Sequence, residues 1–190
     1  MAKSPEIRTA RLFITPFLEK YLSPRYVGWL NNPEVTCFSE QRHKEHTIES
    51  CRKYLESFEN TPNYFWALLE IGNNSLHIGN INAYVDPINE IADIGILIGE
   101  TSAWRNGYAT EAFEAVCGFL LEKQKLRKVT AGAIRPNKQM LKVMQKIGMI
   151  EDGIRKRHYI WNNKEVDVIH MAMFRNQWLT QRKGNQGQVV

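Results

Sequence analysis

The sequence predicts a single-domain α/β protein of the mixed α+β kind, with a mostly antiparallel sheet of seven strands flanked by about four helices. Three observations carry this reading. The chain has 190 residues, a length that suits one domain. Hydrophobic residues make up 43% and charged residues 24%, the balance of a chain with a packed core rather than a disordered or membrane chain. Strand-like and helix-like segments follow the order β, α, α, β, β, β, α, β, α, β, β, with only short turns between the second, third and fourth strands.

Residues 11–16 (RLFITP) read as the first strand. Ser23 followed by Pro24 starts a helix, with proline at the first helical position, and Asn32-Pro33 stops it near residue 31. Thr47 caps a second helix over 48–58, where Ile48, Cys51, Tyr54, Leu55 and Phe58 share one face. Residues 64–70 and 75–85 are strands separated by the turn residues Gly72-Asn73-Asn74. After a turn at Asp86-Pro87, residues 91–98 (IADIGILI) are apolar enough for a central strand. A polar loop, 99–107, leads into a helix over 108–123 with an apolar stripe of Ala112, Ala115, Val116, Phe119 and Leu120. Residues 128–134 (KVTAGAI) form a strand. Asn137 caps a helix over 138–147 that Gly148 ends. Residues 151–161 and 165–174 make a terminal hairpin turned at Asn162-Asn163-Lys164. The domain spans 1–180, and 181–190 read as a disordered tail. Short turns make the middle strands antiparallel, and the helical crossover makes the strands on either side of it parallel.

Several function classes drop out. No run of about 18 apolar residues is present, so no transmembrane helix is expected. Residues 1–6 are polar, which argues against a secretory signal and for a cytoplasmic protein. Cys37, Cys51 and Cys117 are odd in number and widely spaced, unlike a disulfide framework, and no CxxC pair or His/Cys cluster has metal-ligand spacing. The formal charge is +5, but the basic residues are scattered. That suits a small anionic ligand as well as nucleic acid, and no nucleic-acid or membrane partner is expected. The one basic cluster, Arg155-Lys156-Arg157-His158, reads as a solvated hairpin.

The loop after the 91–98 strand carries the first chemical signal. Ligands in open α/β sheets sit beyond the carboxyl ends of strands, and Arg105, Asn106 and Gly107 stand where a helix begins. Exposed N–H groups and the helix dipole make an anion site there. Gly107 lets backbone approach a ligand, and Arg105 can add a charge-assisted bond to phosphate. Neither GxxxxGK[ST] nor GxGxxG is present. One strand later come Arg135-Pro136-Asn137-Lys138, Met140, Val143-Met144 and Ile147-Gly148-Met149.

Together these segments resemble the GNAT N-acetyltransferase superfamily over residues 7–174. There Q/R-x-x-G-x-G/A follows the central strand, and an Asn-headed helix ending in Gly-Phe follows the next. The likeness is strongest to the branch that acetylates ribosomal-protein N-termini, where W-G-x-G-Y-A-T-E-A is usual; here the run is Trp104-Arg105-Asn106-Gly107-Tyr108-Ala109-Thr110-Glu111-Ala112. The resemblance implies acetyl-CoA as cosubstrate and no metal. It places Leu97, Ile98 and Gly99 along pantetheine on a strand that splays from its neighbour. It also puts Trp104, Arg105, Asn106, Gly107, Tyr108, Ala109 and Thr110 around the diphosphate and Asn137 on the pantetheine arm. Lys142 or Lys146 either reaches a phosphate or lies on a solvated helix face. Met144 stands where several relatives carry a tyrosine that protonates the departing thiolate, and Met140 where they often have Ser or Ala. Neither methionine can donate a proton.

The implied reaction is direct attack of a primary amine on the thioester in a ternary complex. A lysine-like amine is only about 0.1% neutral near pH 7.4, and an α-amine roughly a third, so a base is required or helpful. Asp93 is the leading candidate because a carboxylate in an apolar central strand needs either a job or a partner; His77 or an arginine across the sheet is the alternative partner. Glu40, His43 and His46 are further candidates or else loop surface. Tyr159 is the candidate general acid or else a strand aromatic. The acceptor, a small molecule or a peptide, falls in one of three classes: a protein N-terminus, an amino sugar (including a nucleotide-linked one), or a small polyamine or antibiotic. Residues 23–46 and the terminal hairpin are expected to recognise it. The chain is expected to be a monomer or homodimer. The rival from another class is a non-catalytic acyl-CoA-binding module, to which Met140 and Met144 point.

Overall fold

The structure, a computed structural model, describes residues 4–72 and 74–186, with side chains to residue 183. Its eight strands are β1 (Ile7–Arg8), β2 (Leu12–Pro16), β3 (Tyr64–Glu70), β4 (Leu76–Asp86), β5 (Ile91–Ile98), β6 (Lys128–Ile134), β7 (Ile150–Trp161) and β8 (Lys164–Phe174). They form one sheet in the order β1-β2-β3-β4-β5-β6-β8-β7. Among the described residues only β5 and β6, joined through a helix, pair in parallel; β2 and β3, also joined through helices, pair antiparallel.

The eighth strand, β1, was not expected. It is two residues long, Ile7 opposite Ile14 and Arg8 opposite Phe13, too short to show a strand period in sequence. The helices are α1 (Pro24–Leu30), α2 (Pro33–Thr36), α3 (Ile48–Glu56), α4 (Tyr108–Gly118), α5 (Lys138–Lys146) and α6 (Arg175–Gln186). The caps read from sequence do their work: Ser23, Thr47 and Asn137 each accept a bond from the first turn of their helix. The helix expected over 108–123 changes pitch instead of continuing. After Gly118 it becomes a π-turn, Phe119–Lys123, with Phe119 edge-on against Tyr64 and Trp66.

The expected tail is the larger difference. Residues 181–186 belong to α6. That helix is anchored by Trp178, which is 2% exposed and donates its indole N–H to Glu122. The last four residues of the expected tail, 187–190, and Asn73 of the expected turn lie outside the described residues.

Apolar side chains cover both faces of the sheet. One face packs Leu12, Trp66, Ile81 and Ile94 against Phe113, Val116 and Leu120 of the α4 region and Met144 of α5. The opposite face carries an aromatic cluster of Phe17, Tyr26, Trp29 and Phe65 under α1 and α3. Alternation along β5 sends Ala92 and Ile94 into the first layer and turns Asp93, Gly95 and Leu97 to the second face.

Candidate active site

β5 is paired with β4 along its whole length, from Gly79 opposite Ile98 to Asp86 opposite Ile91. Its other edge is not. β5 pairs with β6 only at Ile91, Ala92 and Asp93, whereas β6 stays paired with β8 as far as Ile134. The two parallel strands therefore diverge beyond Asp93 and leave a wedge that opens toward α4 and α5. At its closed end Thr130 Oγ1 lies 3.3 Å from the Ala92 carbonyl. Peptide groups alternate sides along a strand, so those of Ile94, Ile96 and Ile98 face the wedge.

This sharpens the backbone positions named from sequence. The Gly99 N–H is bonded back to Ile78 O at 3.0 Å, and the Leu97 carbonyl lies against Gly79 of β4. Among Leu97, Ile98 and Gly99, only Ile98 faces the wedge, and its carbonyl accepts the Trp104 indole N–H at 2.8 Å. Ile94 and Ile96 present the strand edge instead. Periodicity locates a strand, but it does not say which peptide groups a neighbouring strand will use.

The loop at the mouth of the wedge is held from several sides. The Trp104 indole ties it to the end of β5. Asn106 Nδ2 donates to Ser102 O at 3.3 Å. Arg11 donates to Asn106 O at 2.8 Å and to Glu111 at 2.7 Å, and its guanidinium lies 4.8 Å from the Tyr108 ring centroid. Sequence reasoning missed Arg11 because 95 residues separate it from Asn106. Arg105 and Gly107 both have positive φ, 63° and 83°, and no side chain caps the first turn of α4. Tyr108, Ala109 and Thr110 therefore begin a helix whose N–H groups are left for an anion. A Cβ on Gly107 would touch only Arg11 Nη2, at 3.4 Å, so the approach to those groups is open.

α5 flanks the other side of the mouth. Asn137 Oδ1 caps it by accepting from Met140 N at 3.1 Å, which turns its amide N–H₂ to other partners. Lys142 and Lys146 are exposed on the helix surface. Met144 is fully buried in the core, where it packs rather than performing chemistry.

Asp93 stands at the apex of the wedge, accepting from Thr130 Oγ1 at 2.7 Å. Its carboxyl is raised above the ordinary carboxylate range by crowding from neighbouring protein, offset in part by the Thr130 hydrogen bond and the nearby His170, although solvent still reaches the side chain. His77 is not its partner. That ring is boxed by Trp29, Tyr21 and Phe17 at centroid distances of 4.9, 5.0 and 5.8 Å, and Nε2 sits 2.9 Å from the Gly79 carbonyl. Burial lowers its pKa from 6.5 to about 4. Tyr84 is directly across from Asp93 on β4, and its hydroxyl lies 2.9 Å from that of Tyr54. His170 faces the Gly132 position of β6. Neither tyrosine nor His170 carries a local sequence signal that would have singled it out.

Tyr159 is elsewhere. It pairs with Val166, six residues along β8 from Ala172, which faces Thr130. At roughly 3.3 Å per residue this separates Tyr159 from the Asp93 row by about 20 Å. The structure does not bring the two candidate catalytic residues together. β7 is long and irregular, with a register shift between Arg155 and Tyr159, so its inward residues could not be located by counting.

Beside Gly95 and Leu97, on the Asp93 face, lies a cavity of about 470 Å³. Its floor is Asn80 and Asn82 of β4, its walls are Tyr26, Ser50 and Tyr54, and its roof is the segment through Ser39, Gln41, Lys44, Glu45 and His46. Of the three polar-segment candidates, only His46 lines it. Glu40 pairs with Arg42 at 2.7 Å, and His43 lines an adjoining outer recess that shares Leu30, Thr36, Lys44 and Glu45 with the cavity. Among the described residues no group of three His, Cys, Asp or Glu is placed to hold a metal ion.

The family model of the acetyltransferase (GNAT) domain matches residues 11–150. The chain belongs to this acetyltransferase family. It is an acetyl-CoA-dependent N-acetyltransferase. No curated protein matches it. Solved structures share its fold. A GNAT-family acetyltransferase from Bacillus anthracis is 22% identical with a TM-score of 0.77, covering 90% of this chain and 99% of its own. A spermidine N-acetyltransferase from Vibrio cholerae, in complex with CoA and spermine, is 14% identical with a TM-score of 0.78 and the same coverage. A ribosomal-protein-S5-alanine acetyltransferase from Vibrio fischeri is 14% identical with a TM-score of 0.76, covering 92% of this chain and 99% of its own. At these identities the likeness is one of fold. No helix among the described residues is long and apolar enough to cross a membrane.

Proposed function

We propose that the protein transfers the acetyl group of acetyl-CoA to a primary amine by direct attack, with both substrates bound at once. The observation that supports this is that the stretch of β5 freed from β6 beyond Asp93 also lines, at Gly95, Ile96 and Leu97, a partly open cavity with polar groups in its lining. The residues present suit acetyl-CoA: an unpaired strand edge at Ile94 and Ile96 for an extended amide-bearing chain, then the uncapped first turn of α4 with Gly107 and Arg105 for a diphosphate. Asn137 and Lys142 lie on the facing helix. Bound acetyl-CoA supplies an activated acyl group that forms a C–N bond to the amine as its C–S bond breaks and the thiol departs.

The chain's own contribution is to hold and deprotonate the amine. Asp93 takes the proton of an ammonium that would otherwise stay charged, and a raised carboxyl pKa makes it a better proton acceptor near neutral pH. Thr130 holds that carboxylate in place. Tyr159, about 20 Å away along the sheet, has no part in this step.

A thiol-release assay over a panel of primary amines, with the product identified by mass, tests the reading. Release that depends on one amine and yields the N-acetyl product is expected. Tight acetyl-CoA binding with no release for any amine would overturn catalysis in favour of a binding module.

A further inference from the structure

Two polar atoms in the acceptor cavity are buried without a hydrogen-bond partner: Asn80 Oδ1 and His46 Nε2. Asn80 is 8% exposed and projects from β4, where it is held in register with Ala67 on one side and Leu97 on the other. His46 is fixed from outside the cavity. The Asn31 side chain donates to His46 O and accepts from His46 N, both at 2.8 Å. A floor residue and a roof residue, each with its backbone fixed, thus both carry an unused polar atom, and both line the same 470 Å³ space. Buried polar groups are almost always paired in native proteins, so a ligand that supplies the missing partners is the natural completion of this site.

The remaining lining limits what that ligand can be. Thr36, Ser39, Gln41, Ser50 and Asn82 are neutral hydrogen-bonding groups. Besides His46, the charged residues there are Lys44 and Glu45, one of each sign. Burial keeps the Tyr26 hydroxyl protonated by raising its pKa well above the ordinary value. A polyamine needs a carboxylate for each additional ammonium group, since an unpaired buried charge is strongly unfavourable. This cavity offers one carboxylate and also a lysine. The volume lies within the range of small-molecule sites.

Building on the acetyl-transfer reading, we infer that the cavity selects a small hydroxyl-bearing amine of the amino-sugar class. Asn80 and His46 bind its neutral polar groups and Asp93 lies about 7 Å along β5 from Gly95 at the cavity floor. Polycations are rejected for want of acidic partners. A peptide N-terminus is the rival acceptor, since the cavity is partly open to solvent, and the test includes it.

The test compares glucosamine, spermidine and an alanine-initiated tripeptide as acceptors with the full-length protein. Glucosamine should have a kcat/KM at least tenfold above the other two. Asn80→Ala and His46→Ala should each raise the glucosamine KM tenfold or more while leaving the acetyl-CoA KM within about twofold. Asn80→Asp, which preserves shape, serves as the variant if Asn80→Ala lowers Tm. Preference for spermidine or the peptide would overturn the inference, as would an unchanged glucosamine KM in the His46 variant. Calorimetric binding of glucosamine separates the two levels. Asn80-dependent sugar binding with no thiol release overturns catalysis alone. Release with spermidine and no sugar binding overturns the selectivity alone.

Discussion

Partial desolvation at Asp93 and burial at His77 displace two titratable side chains on this sheet in opposite directions, because in each case the neutral form is favoured. Asp93 is raised above the usual carboxylate range. Activity should therefore climb with pH through that raised value, and Asp93→Asn should flatten the climb and lower turnover at neutral pH by about 100-fold, with acetyl-CoA affinity little changed. An unaltered pH–rate profile would reject Asp93 as the base. The same shift has a stability consequence. A carboxyl with a raised folded pKa costs nothing below its ordinary pKa and destabilises the native state once pH passes the folded value. Asp93→Asn should raise Tm at pH 7 and leave it unchanged near pH 3. His77 has the reverse sign. Its folded pKa of about 4 means that its contribution is fully present above pH 6.5 and is lost as pH falls toward 4. At 1.36 kcal/mol per unit this amounts to at most about 3 kcal/mol. Urea midpoints at pH 7 and pH 4.5 should differ markedly for wild type and much less for His77→Gln; equal slopes would discount the His77 contribution.

At the level of elements, the N-terminus of α4 is the proposed diphosphate site. Gly107 has φ of 83°, so Gly107→Ala carries a strain cost of about 1 kcal/mol but should retain coenzyme A affinity within a few-fold. Gly107→Glu adds bulk and negative charge at the proposed diphosphate site and should weaken binding more than tenfold by calorimetry. A folded Gly107→Glu protein with wild-type affinity would move the diphosphate elsewhere. Elements were the most legible level of the sequence. Ser23, Thr47 and Asn137 announced their helices through capping chemistry that lies within four residues. β3, β5 and β6 were legible from their apolar runs. β1 and α6 were not, because a two-residue strand has no period and α6 is stabilised by Trp178 packing on a distant helix rather than by its own polar sequence.

At the level of the whole molecule, the β7–β8 hairpin contacts the segment that roofs the cavity beside Gly95 and Leu97. The Trp161 indole donates to Cys37 O at 2.8 Å, Phe38 stacks on Trp161 at 5.5 Å, and Arg42 donates to Ile160 O at 3.0 Å. Trp161→Ala should loosen that roof and raise the KM of the acceptor amine several-fold without altering the acetyl-CoA KM. Equal changes in both would mean that the hairpin acts on the wedge instead. Residues 23–46 and the terminal hairpin, the two segments expected to recognise the acceptor, are thus in contact.

The sequence by itself determined the order of the elements other than β1, α2 and α6, the parallel pairing of β5 with β6, the family pattern and the loop at Gly107, since caps, turns and hydrophobic periods are written in residues close along the chain. Only the tertiary structure decided which edge of β5 lies open, that Thr130 rather than His77 partners Asp93, and that Tyr159 stands far from both. It alone joined Asn80 to His46 across one cavity. Those facts depend on strand phase and on contacts between residues tens of positions apart, and such contacts exist only once the sheet has closed and chosen its register.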